Sequence, residues 1–402
     1  MSPQEGIRSK MESGKNSDGL FNLRFGTASI ITFLHFVAGF MAIPVLPVLA
    51  TELGASIFDV GVIRSGYFVL AAFLSIPLGR FSDILGRKVL IGMGLGLAMV
   101  SSLAIFFSNS VIELLIFFSL GGLGAAAFAP AMDSYIGDIL PRRKMTTGYG
   151  WYQTSMQLGM VVGPVLGGVI AAAFSLRMSF LAAAFLSLIG LSLALFSISR
   201  KTEGGPLAGF SVRQLIKTRP TIIALAGWFL ILGMAFVRGP FDFLFPLYGR
   251  EIGMDIVTIG LLFALPASIG LMARIPIAYL ADRLGKRDTF VVFGSLSFFL
   301  PAVIIYALTD ILSLSILLVF VGLGAATFST AVMARVAEGV GASERGFAMG
   351  GSNMMRFGGF TIGSLMIGAS VDNFGFFYGF LPAAVVAALG VLTYIMLVRR
   401  RK

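Results

Sequence analysis

The sequence predicts an all-α membrane protein: twelve transmembrane helices in two pseudo-symmetric six-helix bundles. Three observations predict it. The chain of 402 residues is 57% hydrophobic and 12% charged, with a mean hydropathy of +0.93, whereas a soluble domain carries about 25% charged residues. Apolar runs of bilayer length recur from one end to the other. One polar loop occurs twice, half a chain apart. In lipid every backbone amide needs a partner within its own segment, so apolar runs of this length are helices.

The elements follow in order. Residues 1–24 are polar and rich in Ser, Gly and Lys, without the small-residue cleavage site of a signal peptide, and are expected to be a disordered cytoplasmic tail. Six apolar segments run over 25–50, 58–80, 88–108, 111–137, 146–172 and 178–199, giving a first bundle at 25–199. Residues 200–219, with Glu203-Gly204-Gly205-Pro206, are the one long polar interruption and are expected to be a cytoplasmic linker. Six more segments, at 220–247, 256–281, 289–308, 311–337, 345–369 and 374–398, form a second bundle over 220–402 that ends in a basic tail. The 50 glycines, often spaced with other small residues, suit close helix–helix contact in lipid.

The net charge is +11. A basic chain can bind nucleic acid, but here the basic residues follow the topology. They cluster before segment 1 (Arg8, Lys10, Lys15, Arg24), between segments 4 and 5 (Arg142, Arg143, Lys144), in the linker (Arg200, Lys201, Arg213, Lys217, Arg219) and from Arg399 to Lys402. Twelve alternating helices put all of these on one side. The opposite loops hold little beyond Arg177 and Arg250. By the positive-inside rule both termini are expected in the cytoplasm, with the spans in the plasma (inner) membrane. The partner for this charge is anionic inner-leaflet lipid, and no nucleic acid is expected. The chain has no cysteine, so it has no disulfide and no thiolate metal site. With one histidine and no close carboxylate cluster, no metal, cofactor or enzyme site is expected. No G-x4-G-K-[ST] phosphate loop of an ATP-driven pump occurs.

The repeated loop is Gly79-Arg80-Phe81-Ser82-Asp83-Ile84-Leu85-Gly86-Arg87-Lys88. It returns 199 residues later as Ala278-Tyr279-Leu280-Ala281-Asp282-Arg283-Leu284-Gly285-Lys286-Arg287. The same offset pairs Pro47 with Pro246, Gly61 with Gly260 and Pro77 with Pro276. An offset of 200 pairs Gly122-Leu123-Gly124-Ala125-Ala126 with Gly322-Leu323-Gly324-Ala325-Ala326, and Gly159, Gly163 and Gly168 with Gly359, Gly363 and Gly368. Two similar halves around a central site is how many transporters are built.

The repeated loop resembles the motif G-x-L-x-D-R-x-G-R-R of the major facilitator superfamily, and the resemblance covers the chain beyond its tail. Asp83, Gly86 and Arg87 match it, as do Asp282, Arg283 and Gly285; Ala278 and Lys286 depart from it. The resemblance implies the major facilitator fold and a cytoplasmic latch. In the family the latch Asp faces helix 11, and the loop's basic residues meet an acid at the inner end of helix 4. Asp138 is that acid here, and Glu338, at offset 200, would serve the second loop. A carboxylate is favoured at a helix N-terminus, and a guanidinium can bind an acid bidentately.

Segment 5 carries Gly159-Met160-Val161-Val162-Gly163-Pro164-Val165-Leu166-Gly167-Gly168, which fits G-x3-G-P-x2-G-G and resembles the antiporter signature of the superfamily. Gly159, Gly163, Gly167 and Gly168 leave a smooth face for another helix, and Pro164 removes one helical hydrogen bond. The second copy has Ser364 in place of the proline. Ile43-Pro44-Val45-Leu46-Pro47 is similar to the end of the first helix in drug:proton antiporter members. The family's third motif has an Arg where Phe118 stands, so the usual proton route does not carry over.

Ionisable groups inside a span are costly and mark functional candidates. Arg238 and Asp242, four apart on segment 7 and absent from the equivalent positions Gly39 and Ile43, share a helix face and are candidates for gating or coupling. His35, the single histidine, and Asp133, in the inner third of segment 4, are candidate proton carriers. Tyr152, Gln153, Gln157, Asn353 and Arg356 would form the polar floor of a central cavity. Arg64 and Arg274 are expected to snorkel outward and inward. The function these features imply is secondary transport by alternating access, with proton-coupled export of a small amphipathic organic compound and a monomeric protein. The alternatives are proton-coupled uptake of an organic anion or sugar, and a non-transporting membrane sensor or assembly partner.

Overall fold

The computed structural model describes residues 23–141, 144–198, 221–338 and 345–399. Most of the tail and all of the linker 200–219 lie outside these. Twelve crossings are built from α1 (Leu23–Glu52), α2 (Ile57–Leu85), α3 (Arg87–Phe107), α4 (Val111–Ile139), α5 (Met145–Ala173), α6 (Leu176–Ser197), α7 (Ile222–Glu251), α8 (Ile256–Leu284), α9 (Arg287–Ile304), α10 (Ile311–Glu338) and α11 (Arg345–Arg399). Helix α11 is broken at Gly375, where φ is 74° and ψ is 174°. The break divides it into two limbs, so the eleven apolar helices among the described residues supply the twelve spans the sequence predicts. At the matching place in the first half the chain breaks at Phe174, and Ser175 caps α6 by accepting a hydrogen bond from the Met178 amide.

Helix termini are set by local chemistry. Ser56 and Asp59 form a reciprocal capping box that starts α2. Asp255 starts α8 by accepting from the Val257 and Thr258 amides at 2.9 and 3.0 Å. Gly285 ends α8 in the left-handed region, φ 63°. The α2–α3 turn uses Gly86 at φ 94°, so both copies of the repeated loop keep their glycine because the chain turns there through positive φ.

Helices α1 and α7 are the most deeply enclosed. In the first half α1 packs on α5 and α6, α2 on α4, and α4 on α3. In the second half α7 packs on α11 and α10 on α8 and α9. The halves meet where α5 lies on α8 and where α2 lies on the first limb of α11.

The duplicated glycines explain both kinds of contact. A Cβ on Gly163 would stand 2.7 Å from Phe40 Cβ and from the Val37 carbonyl oxygen of α1. Gly359 meets Ala235 Cβ and the Leu232 carbonyl oxygen of α7 in the same way, both at 2.6 Å. A Cβ on Gly168 would stand 2.6 Å from the Ile256 carbonyl oxygen, and one on its counterpart Gly368 would stand 3.2 Å from that of Ile57. Gly260 lies against the Pro164 carbonyl, and Gly61 against the Ser364 carbonyl. The small residues therefore let backbones touch within each half and across the seam between them.

Candidate functional site

The site grows from α7. This helix holds Pro240 and Pro246 and is buried almost from end to end. Arg238 and Asp242 are one turn apart on it, and Arg238 Nε pairs with Asp242 Oδ1 at 2.8 Å. A second cation reaches the same carboxylate from the other half: Arg64 Nη2 of α2 lies 3.6 Å from Asp242 Oδ2. Arg64 is 5% exposed and Asp242 8%. Arg64 therefore does not snorkel outward. It lies seven residues inside α2, about 10 Å from the helix start, and is turned inward to a carboxylate that solvates it better than lipid can.

Aromatic faces complete the cluster. The Arg64 guanidinium lies 5.3 Å from the Phe68 ring centre and 5.7 Å from that of Phe118. Phe118, the residue that replaces the family arginine, thus packs against another arginine's charge. The Arg238 guanidinium lies 5.9 and 6.0 Å from Phe241 and Phe263. Such contacts add attraction for a desolvated cation.

The remaining candidates fall in three places. On the first half, Tyr152 Oη of α5 donates to Asp133 Oδ1 of α4 at 2.7 Å, and Tyr149 Oη donates to the Asp133 carbonyl at 2.8 Å. Two residues singled out separately are thus one hydrogen-bonded pair. His35 is stacked on Phe128 with ring centres 4.0 Å apart, and its Nδ1 is buried without a hydrogen-bond partner among the described residues. Gln153 and Asn353 are exposed, Gln157 and Arg356 partly so, at equivalent depths on α5 and α11. Arg356 makes no ion pair with another described residue.

At the basic side, Arg87 Nε pairs with Asp138 Oδ2 at 3.4 Å and Arg87 Nη1 donates to Ser82 Oγ at 3.2 Å. In the second half Arg287 Nη2 pairs with Asp282 Oδ1 at 2.8 Å, and Arg283 is exposed. The side chains of Asp83 and Glu338 lie outside the described residues. An unexpected pair stands beside them: Arg335 Nε of α10 meets Asp288 Oδ1 of α9 at 2.8 Å, and Tyr394 Oη donates to the same oxygen at 2.7 Å. The first half has its base at the start of α3 and its acid on α4; here the acid starts α9 and the base is on α10.

On the opposite side, the Ile57 and Phe58 amides at the start of α2 donate to Asp372 Oδ1 and Oδ2, at 3.0 and 2.8 Å. The carboxylate at the end of α11's first limb thereby caps a helix of the other half. Further along the seam, Ser65 Oγ donates to the Thr361 carbonyl at 3.1 Å, and Phe68 packs on Phe360 and Phe357. An apolar recess of about 690 Å³ between α3, α5 and α6, lined by Met99, Leu103, Phe174 and Phe185, belongs to the periphery.

The family model for the major facilitator superfamily matches residues 28–310 and 241–402. The chain belongs to the major facilitator superfamily. It is a multi-pass membrane transporter and not an enzyme. Among its relatives, an uncharacterized MFS-type transporter of Methanocaldococcus jannaschii is 23% identical over 381 residues, 92% of this chain and 97% of that one. Multidrug resistance protein 1 of Bacillus subtilis is 28% identical over 370 residues, 89% of this chain and 92% of its own. The quinolone resistance protein NorA of Staphylococcus aureus is 26% identical over 226 residues, 54% of this chain and 56% of its own. In fold, the transporter superposes on the nucleoside transporter NupG with a TM-score of 0.79 at 15% identity, covering 94% of this chain and 100% of NupG. A bacterial homologue of the lysosomal transporter Spinster gives 0.79 at 13% identity, covering 93% and 96%.

Proposed function

We propose that this transporter exports a small amphipathic organic compound in exchange for protons, by alternating access. The observation that carries the reading is Asp242, held by Arg238 on its own helix and by Arg64 from the other half. An ionised Asp242 ties the two halves together. A neutral one leaves Arg64 without its counter-charge. Breaking a buried ion pair from one side costs about 3–5 kcal/mol, and shifting a two-state equilibrium from 1:99 to 99:1 takes about 5.5 kcal/mol. One proton is thus large enough to bias which side is open.

Further support comes from the seam. The helix cap from Asp372, the Ser65 contact and the glycine contacts at Gly61, Gly168, Gly260 and Gly368 lie toward the side away from the basic loops. Contacts of this kind close one side of a rocking pair of bundles. The distribution of basic loops supports cytoplasmic termini in the plasma (inner) membrane. The direction of transport and the compound class follow the two resistance proteins among the relatives. The helix α5 glycine motif agrees with that direction, and the chain is read as a monomer. The test is proton movement in inverted vesicles with a preset pH gradient, challenged with lipophilic cations, neutral drugs, sugars and organic acids. A compound that collapses the gradient only when the parent protein is present supports exchange. Accumulation of a compound together with protons, in the uptake direction, overturns it.

A further inference from the structure

We infer that Asp133 is a second proton-binding residue, which gives its proton up to the side of the basic loops. The inference rests on the transport reading and adds a site on the first half to the one at Asp242. Asp133 lies six residues before the end of α4 at Ile139, about 9 Å from the basic side. Asp242 lies nine residues before the end of α7 at Glu251, about 14 Å from the opposite side. The two carboxylates therefore stand nearer opposite faces of the membrane and in opposite halves of the chain.

Their surroundings differ in kind. Asp242 is buried and matched by two arginines. Asp133 has no cation within ion-pair distance among the described residues. Its carboxylate takes one hydrogen bond from them, Tyr152 Oη to Oδ1 at 2.7 Å. Asp133 is exposed, whereas Tyr152 is buried. The charged and titratable groups around it are engaged elsewhere. Asp138, five residues further along α4, pairs with Arg87 of α3. Tyr149 of α5 donates to the Asp133 carbonyl and not to its carboxylate. From α1, Thr32 stands beside the Tyr152 hydroxyl, His35 is stacked on Phe128, and Arg24 lies toward Tyr135. On α2, the side chains of Arg80 and Asp83 lie outside the described residues.

A phenol offers one neutral donor, whereas an ionised carboxylate has about four sites to fill. An ionised Asp133 therefore needs water. The seam contacts from Asp372 and Ser65 lie toward the other side of the molecule, and Asp133 is exposed in this arrangement. When the basic side closes, the carboxylate loses its water, and a lone charge out of water neutralises by taking a proton. When that side opens, the O–H bond of the carboxylic acid breaks. The proton passes to water there, and the carboxylate keeps the hydrogen bond from Tyr152. Asp242 is different, because its arginines match its charge without water.

The test is infrared titration of the full chain in nanodiscs. The C=O band of protonated carboxyl groups is followed against pH in the parent, Asp133→Asn, Asp242→Asn and Tyr152→Phe. Asp133→Asn is expected to remove one titrating band, and Asp242→Asn to leave that band in place. Tyr152→Phe is expected to keep the band and move it to higher frequency, because the C=O loses its donor. In proteoliposomes, Asp133→Asn is expected to slow proton-driven transport at least ten-fold while compound-for-compound exchange continues near the parent's rate, since exchange needs no proton release. Titrating bands left unchanged by Asp133→Asn overturn the proposal. Equal loss of exchange and proton-driven transport in Asp133→Asn also overturns it, because a packing role would give that result. An Asp133 band that titrates in a parent where no compound moves protons keeps the proton site and sinks the exchange reading instead.

Discussion

At the residue scale, the proposed reading rests on Asp242, which pairs with Arg238 and Arg64. Its two arginines come from different halves, so replacing it acts on the seam as well as on α7. Asp242→Asn is expected to lose proton-coupled transport by at least ten-fold while the protein still assembles in the membrane, read as proton flux per molecule inserted. Arg64→Gln is expected to destabilise the closed seam by about 3 kcal/mol, read as a lower melting temperature. The Arg238–Asp242 pair was legible in the sequence, because a four-residue spacing on a helix puts two side chains on one face. Arg64 was not legible. Its partner lies 178 residues away, and no local pattern separates an arginine turned to lipid headgroups from one turned to a carboxylate. Tyr152 and Asp133 carry separate local signals, but only the packing of α5 on α4 reveals that one donates to the other.

At the scale of elements, the glycine faces divide into two kinds with different expected behaviour. A Cβ on Gly167 would stand 2.5 Å from the Met41 carbonyl oxygen of α1, inside one half, whereas one on Gly168 would meet the Ile256 carbonyl oxygen of α8 across the seam. Gly167→Leu is expected to abolish folded protein in a size-exclusion assay. Gly168→Ala is expected to fold and to favour separation of α5 from α8. The spacing of these residues was legible, and so was their use for close packing; which neighbour each one meets needs the arrangement of the halves.

Helix ends add a second expectation. Asp372→Asn weakens the cap on α2 by about 0.5–2 kcal/mol. A Ser364→Cys probe beside Gly61 is then expected to label several-fold faster with a membrane-impermeant maleimide at fixed pH. The chain has no native cysteine to interfere. Asp255 gives a pH effect. The Thr258 hydroxyl and amide hold its carboxyl below the usual carboxylate range. A depressed folded-state value means that the cap contributes fully above the ordinary aspartate range and is lost as pH falls through the lowered value. The melting temperature of Asp255→Asn should therefore fall less steeply in acid than that of the parent.

At the scale of the whole molecule, two similar bundles joined at a seam can rock, and the duplicated sequence foretold both the bundles and their relation. Gly168 and Gly368, or Gly61 and Gly260, occupy matching places at the two seams. The ion pairs break that symmetry. Asp372 has Ala172 at its counterpart position, Arg64 and Asp242 have no charged equivalents at Phe263 and Ile43, and Arg335 stands where the first half has Tyr135. Duplication supplies the scaffold, and the unmatched charges make its two sides and two halves differ. These charges escape a reading by repeats because a repeat shows what the halves share.

The central claim is that the charge on Asp242 holds the seam closed on the side away from the basic loops. The most direct test places spin labels at Thr51→Cys and Arg250→Cys, at the ends of α1 and α7 on that side, and measures their distance distribution against pH. In the parent the short-distance population should shrink as pH falls. With Asp242→Asn added, the longer distance should dominate at every pH. An unchanged pH response in Asp242→Asn, or a seam that stays closed in it throughout, would contradict the account.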